Sequence, residues 1–303
     1  MSAQIDWAAA VARERRHLFG VAYRMLGSAS EAEDVLQEAW LRASASEPRA
    51  IESERAFLTT IVVRLCLDAA KSARARREQY VGPWLPEPLF EEPSAAQADE
   101  TLALRESVSM ALLVALEALS PLERAAYLLR EVFDYEFADI AAALSRNEAA
   151  CRQLHHRARA HLTGDQRRFE PQDEDAQRLV AAFLGAIQSG EVGAVAALLA
   201  ADAISISDGG GKARAALNVV HGRDHVSRLV LGLSRKAAPD LVYELRRVNA
   251  SWALVISKPA RGDAPASIIN VTLFVCRGGT IDTIYSVLNP EKLATVEHSA
   301  GLA

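Results

Sequence analysis

FADIAAALSRNEAACRQLHHRARAHL, residues 137–162, is the stretch of sequence that decides the fold of the second helical block. Ile140, Ala141 and Leu144 form one apolar helical face, and Asn147 is placed to cap a second helix after a polar break. Two short helices, a tight turn and a basic second helix are typical of a helix-turn-helix, which places its second helix in the major groove of DNA. An ordinary helical hairpin with a solvated polar face is the alternative.

The second helix of this motif carries the residues predicted to contact DNA. Its first two turns, which come within reach of base edges, contain Glu148, Arg152, Gln153, His155 and His156. Arg157 and Arg159 are predicted to contact phosphates. The histidine pair has no cysteine or carboxylate beside it at zinc-ligand spacing, so no metal site is predicted.

Charge distribution matters more than net charge in this chain of 303 residues, whose net charge is −5. A negative total argues against a nucleic-acid partner, but phosphate contacts are local and basic residues cluster at 64–77 and 146–168. No apolar run of ~18 residues or export signal is found, so no membrane partner is predicted. Three widely separated cysteines predict neither a disulfide framework nor a zinc site, and a reducing cytoplasm is the simplest location.

The chain divides by composition into three blocks and a linker. Residues 1–78 are helical: Gly27 closes one helix, and Ser30 with Glu33 suggests a capping box for the next. Residues 79–101 are a proline-rich linker, and residues 102–165 are a second helical block with a capping box at Ser120 and Glu123. Residues 172–296 begin with helices and continue with runs of β alternation, which predicts an α+β domain with a curved antiparallel sheet.

The two helical blocks together resemble a bacterial RNA polymerase sigma factor of the extracytoplasmic-function type, in the sigma-70 family. AEDVLQEAWLRA (32–43) is similar to the region 2 helix that docks on the coiled coil of the polymerase β′ subunit. RAFLTTIVVRLCLDAAKSARARRE (55–78) is similar to the segment that melts and reads the −10 element, and residues 119–162 resemble region 4, which reads the −35 element. The resemblance implies two all-α sigma domains, a region 2 helical bundle and a region 4 helix-turn-helix.

This resemblance implies the partners and most of the site residues. The partners are core RNA polymerase, through its β′ coiled coil and β flap, and promoter DNA, with no cofactor and no catalytic residues. The residues predicted to bind the polymerase are Asp34, Gln37, Glu38 and Leu41, with Leu36, Trp40 and Leu41 near the apolar seam of the same helix. Those predicted to bind the −10 element are Arg64, Lys71, Arg74, Arg76 and Arg77. The loop 48–54 and Asp68 could shape base pockets, although Asp68 is also expected to be a buried partner of an arginine.

The third block resembles a SnoaL-like cone, and a sigma factor that ends in one resembles a subgroup sometimes called SigJ-like. In that subgroup the added domain is thought to regulate sigma activity in cis. The motifs that carry this similarity are WLPEP (Trp84, Leu85, Pro86 and the two residues that follow), DGGGK (Asp208, Gly209, Gly210, Gly211, Lys212) and NPEKL (Asn289, Pro290, Glu291, Lys292, Leu293). Within DGGGK, the acidic and basic ends are expected to pair across a tight glycine turn.

Two other functions for the third block remain open. Ketosteroid isomerases and polyketide cyclases share the cone architecture and use an acidic base in an apolar pocket. The residues that could serve such chemistry are Asp202, Asp208, His221 and Tyr285, but their spacing fixes no catalytic pair. A pocket that senses a small-molecule ligand and shifts sigma activity is the third alternative.

Overall fold

The chain forms two units in a computed structural model that describes residues 5–46, 51, 53–90, 108–162, 174–262 and 265–299. The helical unit comprises residues 1–78 and 113–166, and the sheet unit comprises residues 79–112 and 167–303. The described part of the proline-rich linker, residues 79–90, therefore belongs to the same unit as the C-terminal sheet. No helix in the described ranges combines the length and the hydropathy needed to cross a membrane.

Three helices form the first part of the helical unit. They are α1 (Trp7–Leu26), α2 (Ala29–Ser44) and α3 (Glu54–Glu78). The expected stop at Gly27 is confirmed, because this residue adopts φ 71° and its N–H bonds the carbonyl of Tyr23. The expected capping box at Ser30 is wrong: α2 is capped by Ser28, whose side chain accepts a hydrogen bond from the N–H of Glu31 at 3.1 Å. Both serines precede an acidic residue by three positions, so local sequence did not distinguish them.

The second part of the chain's helical region contains the helix-turn-helix. Its elements are α4 (Met110–Leu116), α5 (Pro121–Tyr127), a π-helical turn (Leu128–Val132), α6 (Phe137–Leu144) and α7 (Glu148–Leu162). The capping box of Ser120 and Glu123 is present, with Pro121 at the first helical position. After α6, Ser145 adopts a left-handed conformation, and Asn147 accepts a hydrogen bond from the N–H of Ala150 at 2.8 Å. The expected break between the two helices is confirmed.

Buried polar contacts join the first three helices to the later ones within the helical unit. The Arg124 guanidinium donates to the carbonyl of Met25 at 2.8 Å and to Glu117 at 2.7 Å. Burial lowers the pKa of Arg124 to about 10. The Tyr135 hydroxyl lies 2.9 Å from Thr59 Oγ1 and 3.2 Å from His17 Nε2. Burial also lowers the pKa of His17 to about 4, with the nearby Arg55 charge acting in the same direction.

Among its described residues from 174 onward, the sheet unit contains three helices before β3, a six-stranded sheet and a final helix. Its elements are α8 (Glu174–Ser189), α9 (Val192–Ala197), β1 (Leu199–Asp208), β2 (Val220–His221), α10 (Arg223–Ser234), β3 (Val242–Val248), β4 (Ser251–Lys258), β5 (Ser267–Arg277), β6 (Thr280–Val287) and α11 (Pro290–Ser299). The strand order is β2-β1-β6-β5-β4-β3. Four of the five strand pairings are antiparallel, as expected, whereas β1 and β6 pair in parallel. These two strands are distant in sequence, so no hairpin forces them to be antiparallel.

The two faces of the sheet have different covers. Helices α8, α9 and α10 cover one face around an apolar core that includes Phe183, Phe274 and Ile284. Since side chains alternate along a strand, Asp208 and Tyr285 belong to the opposite face. On that face lie α11, which contacts β5, and residues 80–90, here called the docked segment. A stretch that the composition marked as a linker is therefore part of the sheet unit.

Candidate functional sites

The recognition helix α7 presents one polar face and one buried face. Cys151, Leu154 and Ala158 are buried, whereas the residues that remain exposed are Glu148, Arg152, Gln153, His156, Arg157 and Arg159. Glu148, Arg152 and His156 are spaced by four residues and therefore share one exposed face of the helix. This face carries three of the five side chains predicted to reach base edges.

Several side chains of α7 already have partners within the helical unit. Arg152 donates to Glu148 at 2.7 Å, and its guanidinium lies 4.4 Å from the centre of the Phe137 ring. Arg157 lies 3.1 Å from Glu123, a carboxyl whose pKa is lowered chiefly by the hydrogen bond from Ser120. The Arg152–Glu148 pair is exposed on both sides, and such pairs contribute only about 0–1 kcal/mol, so a phosphate or base can displace Glu148 at little cost, whereas Glu123 is buried.

His155 differs from the other predicted DNA contacts. Its Nε2 lies 2.6 Å from Glu131, and its ring packs edge-on against Phe137. Its side chain is only 14% exposed. The structure therefore gives His155 a role in holding α7 against the preceding turn, and places it less favourably for a base edge than His156.

The basic residues of α3 divide into two groups. Lys71 is exposed and donates to Asp68 at 2.8 Å, a hydrogen bond that lowers the pKa of Asp68. Asp68 is 67% exposed, so the expected buried pairing with an arginine is wrong. Arg77 is turned inward, where it pairs with Glu117 and donates to the carbonyl of Leu26 at 2.8 Å. The inward position argues against a phosphate contact by Arg77 in this conformation.

Arg64 contacts the helix-turn-helix directly. Its guanidinium donates to the carbonyls of Ala142 and Ala143 at 2.9 and 3.1 Å and to the Ser145 hydroxyl at 3.2 Å. These acceptors lie at the C-terminal end of α6, where carbonyls lack intrahelical partners. The side chains of Arg74 and Arg76, and most of the loop 48–54, lie outside the described residues.

The exposed side of α2 combines acidic and apolar residues. Asp34, Gln37 and Leu41 are exposed, and the Glu38 carboxylate accepts a hydrogen bond from Arg42 Nε at 2.8 Å. Leu36, Trp40 and Leu41 were all expected near the apolar seam, but only Leu36 is buried, whereas Trp40 is 42% and Leu41 53% exposed. An exposed tryptophan next to an exposed leucine is typical of a protein interface, and the helical periodicity was not sharp enough to reveal it.

WLPEP, DGGGK and NPEKL meet around one carboxylate. Asp208, at the end of β1, is fully buried, and Lys292 at the start of α11 is 6% exposed. The Lys292 ammonium donates to Asp208 Oδ2 at 2.7 Å and to the carbonyl of Leu85, and it lies 4.1 Å from the centre of the Trp84 ring. The N–H of Leu85 also donates to Asp208, at 2.8 Å. Tyr80 completes this set, which we call the motif cluster.

Tyr80 was missed by the sequence reasoning, although it lies four residues before WLPEP. Its hydroxyl donates to Asp208 Oδ1 at 2.6 Å and accepts a hydrogen bond from Asn289 Nδ2 at 2.7 Å. Burial is the main cause that raises the pKa of Tyr80, and the hydrogen bond to the Asp208 carboxylate acts in the same direction. The hydroxyl therefore stays protonated and remains a donor.

Glycine is required in DGGGK because other groups approach the backbone closely. A Cβ at Gly210 would lie 2.8 Å from the Tyr80 hydroxyl and closer still to the Asn289 amide, and Gly210 has φ 58°. Gly211, at φ 71°, would bring a Cβ to 3.1 Å from Val81. The expected pairing across the turn is wrong: Asp208 pairs with Lys292, and Lys212 pairs with Glu291. The turn therefore serves close packing on the docked segment.

The residues considered for catalysis occupy different environments. Asp202 and His221 are exposed, Tyr285 is buried in β6, and Asp208 is engaged by Lys292. Across the described part of the chain, no group of three or more His, Cys, Asp or Glu side chains is arranged to hold a metal ion.

Two family descriptions match the chain, and they match in its helical part. Residues 10–76 match Sigma-70 region 2, and residues 109–162 match Sigma-70, region 4. The first spans α1 to α3, and the second ends at the last residue of α7.

Similar proteins match over a larger part of the chain. The ECF RNA polymerase sigma factor SigJ of Mycobacterium tuberculosis is 36% identical over 282 residues, covering 92% of this chain and 90% of that protein. The probable ECF RNA polymerase sigma factor SigI of the same organism is 35% identical over 198 residues, covering 63% of this chain and 66% of that protein. The crystal structure of the Mycobacterium tuberculosis extracytoplasmic function sigma factor SigJ aligns with a TM-score of 0.76 and 32% identity, over 98% of this chain and all of that one.

Proposed function

This chain belongs to the extracytoplasmic-function family of RNA polymerase sigma factors and so directs core polymerase to promoters to initiate transcription. We propose the following surfaces for its contacts with polymerase and DNA, and regulation by its own sheet unit. The exposed face of α2 docks on the β′ coiled coil, and the helix-turn-helix contacts the β flap. Asp34 and Glu38 supply charge complementarity, while Trp40 and Leu41 supply the apolar anchor.

Two basic surfaces of the helical unit contact promoter DNA. The exposed face of α7 reads the −35 element, with Arg152, Gln153 and His156 at base edges and Arg159 at phosphates. Lys71 and Arg64 approach the −10 element, and Arg64 must first leave the carbonyls of α6. Arg74 and Arg76 belong to the same helix and are proposed, from the sequence alone, to assist at the −10 element.

The sheet unit regulates the sigma domains in cis by holding the chain that connects them. The observation that carries this proposal is the buried contact of Asp208 and Lys292 with Leu85, since Leu85 lies between the two sigma domains in sequence. Asp208 and Lys292 are both buried where they hydrogen-bond Leu85, so water competes poorly for the contacts that hold the docked segment.

Run-off transcription with core polymerase tests both proposals. Trp40→Ala and Arg152→Ala should lower transcript yield, the first by weakening polymerase binding and the second by weakening DNA binding. Asp208→Asn should change the yield at saturating protein, whereas Glu291→Gln, at an exposed ion pair, should not. An Asp208→Asn variant with unchanged yield would remove the regulatory proposal.

A ligand-sensing role for the sheet unit is a second candidate, supported by a row of hydroxyls on the helix-covered face. Ser207, Ser286 and Thr272 lie in register on three adjacent strands, and Thr272 Oγ1 is 3.1 Å from Ser286 Oγ. Ser207 and Thr272 are buried and Ser286 is half-buried, and hydroxyls in mostly apolar surroundings can orient a small polar molecule. A thermal-shift screen against small carboxylic acids and sterols tests this role, with Thr272→Val expected to abolish any stabilisation.

A further inference from the structure

We propose that Asn249 is a clip that holds both ends of the connection between the two sigma domains, and that it must open for the protein to bind the −35 and −10 elements together. This inference rests on the proposed regulation in cis and extends it to a residue outside the three motifs. The clip comprises Asn249, Leu89 and Val108. All three belong to the sheet unit.

The clip consists of three hydrogen bonds made by one residue. The N–H of Asn249 donates to the carbonyl of Leu89 at 3.0 Å, and Asn249 Oδ1 accepts from the N–H of Leu89 at 2.9 Å. Asn249 Nδ2 donates to the carbonyl of Val108 at 3.2 Å. Asn249 is 3% exposed, so water competes poorly for these groups. Both polar groups of the Asn249 side chain therefore hydrogen-bond to the connection between the sigma domains.

The local fold explains why an asparagine occupies this place. Asn249 and Ala250 form the two-residue turn between β3 and β4, with φ 49° and 55°, and the flanking Val248 and Ser251 are paired. Such turns require two left-handed residues, and asparagine tolerates that conformation well. Beside the turn, Phe90 pairs with Val248 as an antiparallel bridge. The connection between the sigma domains is therefore hydrogen-bonded to a turn of defined conformation.

The clip shortens the reach between the sigma domains. About 32 residues separate Glu78, the end of α3, from Met110, the start of α4, which allows a span of about 110 Å when extended. When Leu89 and Val108 are both hydrogen-bonded to the Asn249 side chain, the residues between them no longer add to the distance that the connection can span. About 13 residues then remain to span it, and the maximum distance falls to about 50 Å. Contacts of Tyr80 and Leu85 with Asp208 restrict it further.

The distance between the promoter elements exceeds the span of the clipped connection by itself. The two elements are centred about 25 base pairs apart, or about 85 Å along the duplex. With the clip closed, the connection is shorter than the distance between the two elements. Both elements could then be reached only if the DNA-binding surfaces of both sigma domains pointed away from the connection at the same time. A linker that cannot span two sites reduces the effective concentration of the second binding event to nearly zero. Closing the clip therefore opposes binding to both elements, while binding to either one alone is unaffected.

The test uses full-length protein with core RNA polymerase on promoters whose −35 to −10 spacing varies. Asn249→Gly keeps the left-handed turn and removes both side-chain bonds, and Asn249→Asp keeps the acceptor for Leu89 but loses the donor to Val108. Each hydrogen bond shifts the clip equilibrium by about fivefold, so we expect transcription to rise by up to about 30-fold in Asn249→Gly and by about fivefold in Asn249→Asp. Ala250→Gly, in the same turn, is the matched control and should match the wild type.

The dependence on spacing separates release of a tether from a structural effect. Asn249→Gly should raise output most on the longest spacing, while affinity for a DNA fragment with the −35 element alone stays unchanged. Equal output of folded Asn249→Gly and wild type on every spacing would overturn the clip, as would a uniform loss. If Asp208→Asn alters transcription while Asn249→Gly does not, regulation in cis stands and the clip fails. If neither variant alters it, both fail.

Discussion

Replacing Lys292 by methionine should release the docked segment from the sheet unit. The Lys292 ammonium bonds Asp208 at 2.7 Å and the carbonyl of Leu85, and methionine retains the length and apolar stem without the charge. The substitution leaves a fully buried carboxylate without its cation. The effect should be confined to the motif cluster.

The magnitude follows from the partners that Asp208 retains. Removing one member of a buried ion pair costs about 3–5 kcal/mol. Since Asp208 still accepts hydrogen bonds from the Tyr80 hydroxyl and the N–H of Leu85, the lower end of that range applies. A loss of about 3 kcal/mol corresponds to a factor of about 100 in the opening equilibrium.

Hydrogen exchange at Leu85 measures this opening, because its N–H donates to Asp208 at 2.8 Å. We expect exchange at this amide to be about 100-fold faster in Lys292→Met than in the wild type. Glu291→Gln, which removes an exposed partner of Lys212, should change it by less than about threefold. Exchange in Lys292→Met within threefold of the wild type would refute the idea that the buried ion pair holds the docked segment.

Three further predictions concern the helical unit. Trp40→Ala should weaken binding to core polymerase by at least about tenfold in an anisotropy titration, with unchanged thermal stability because Trp40 is exposed. Arg152→Ala should cost about 1–3 kcal/mol in binding to −35 DNA and relax base preference, whereas Arg159→Ala should weaken all sequences alike and reduce the salt slope by about 1. Acid should destabilise the helical unit through His17: its folded pKa of about 4 lies below the unfolded value of about 6.5, so its stabilising contribution is present above pH 6.5 and is lost as pH falls towards 4. After discounting for partial exposure, that loss is about 1–2 kcal/mol in chemical unfolding, and His17→Gln should lack it. Unchanged polymerase affinity in Trp40→Ala would contradict the first prediction. Identical salt slopes for Arg152→Ala and Arg159→Ala would contradict the second. The same pH dependence of stability in His17→Gln and the wild type would contradict the third.

Local signals were sufficient for most of the helices and for five of the six strands. Alternating apolar residues predicted β1 and β3 to β6 because one face of each strand packs against a core, and capping residues predicted the helix-turn-helix. The two-residue strand β2 is too short to carry a pattern. The parallel pairing of β1 with β6 could not be predicted, since alternation within a strand does not specify its neighbour.

Contacts between distant residues account for most of the differences at the sites. Lys212 is near Asp208 in sequence, but Lys292 reaches it through the fold and is the partner found. Tyr80 and Asn249 show the same limit, because their roles depend on where the docked segment lies on the sheet. Asn249 does have a local signal, an Asn-Ala turn between two alternating runs, but that signal predicts only a hairpin.

Single-round run-off transcription with core polymerase, comparing wild type, Lys292→Met and Glu291→Gln at saturating protein, tests the central claim most directly. If the sheet unit restrains the sigma domains by holding the docked segment, Lys292→Met should give several-fold more transcript than the wild type from the same promoter, and Glu291→Gln should give the same amount. Equal yields from all three proteins, with faster exchange at Leu85 in Lys292→Met, would show that the segment is released without consequence and would contradict the account.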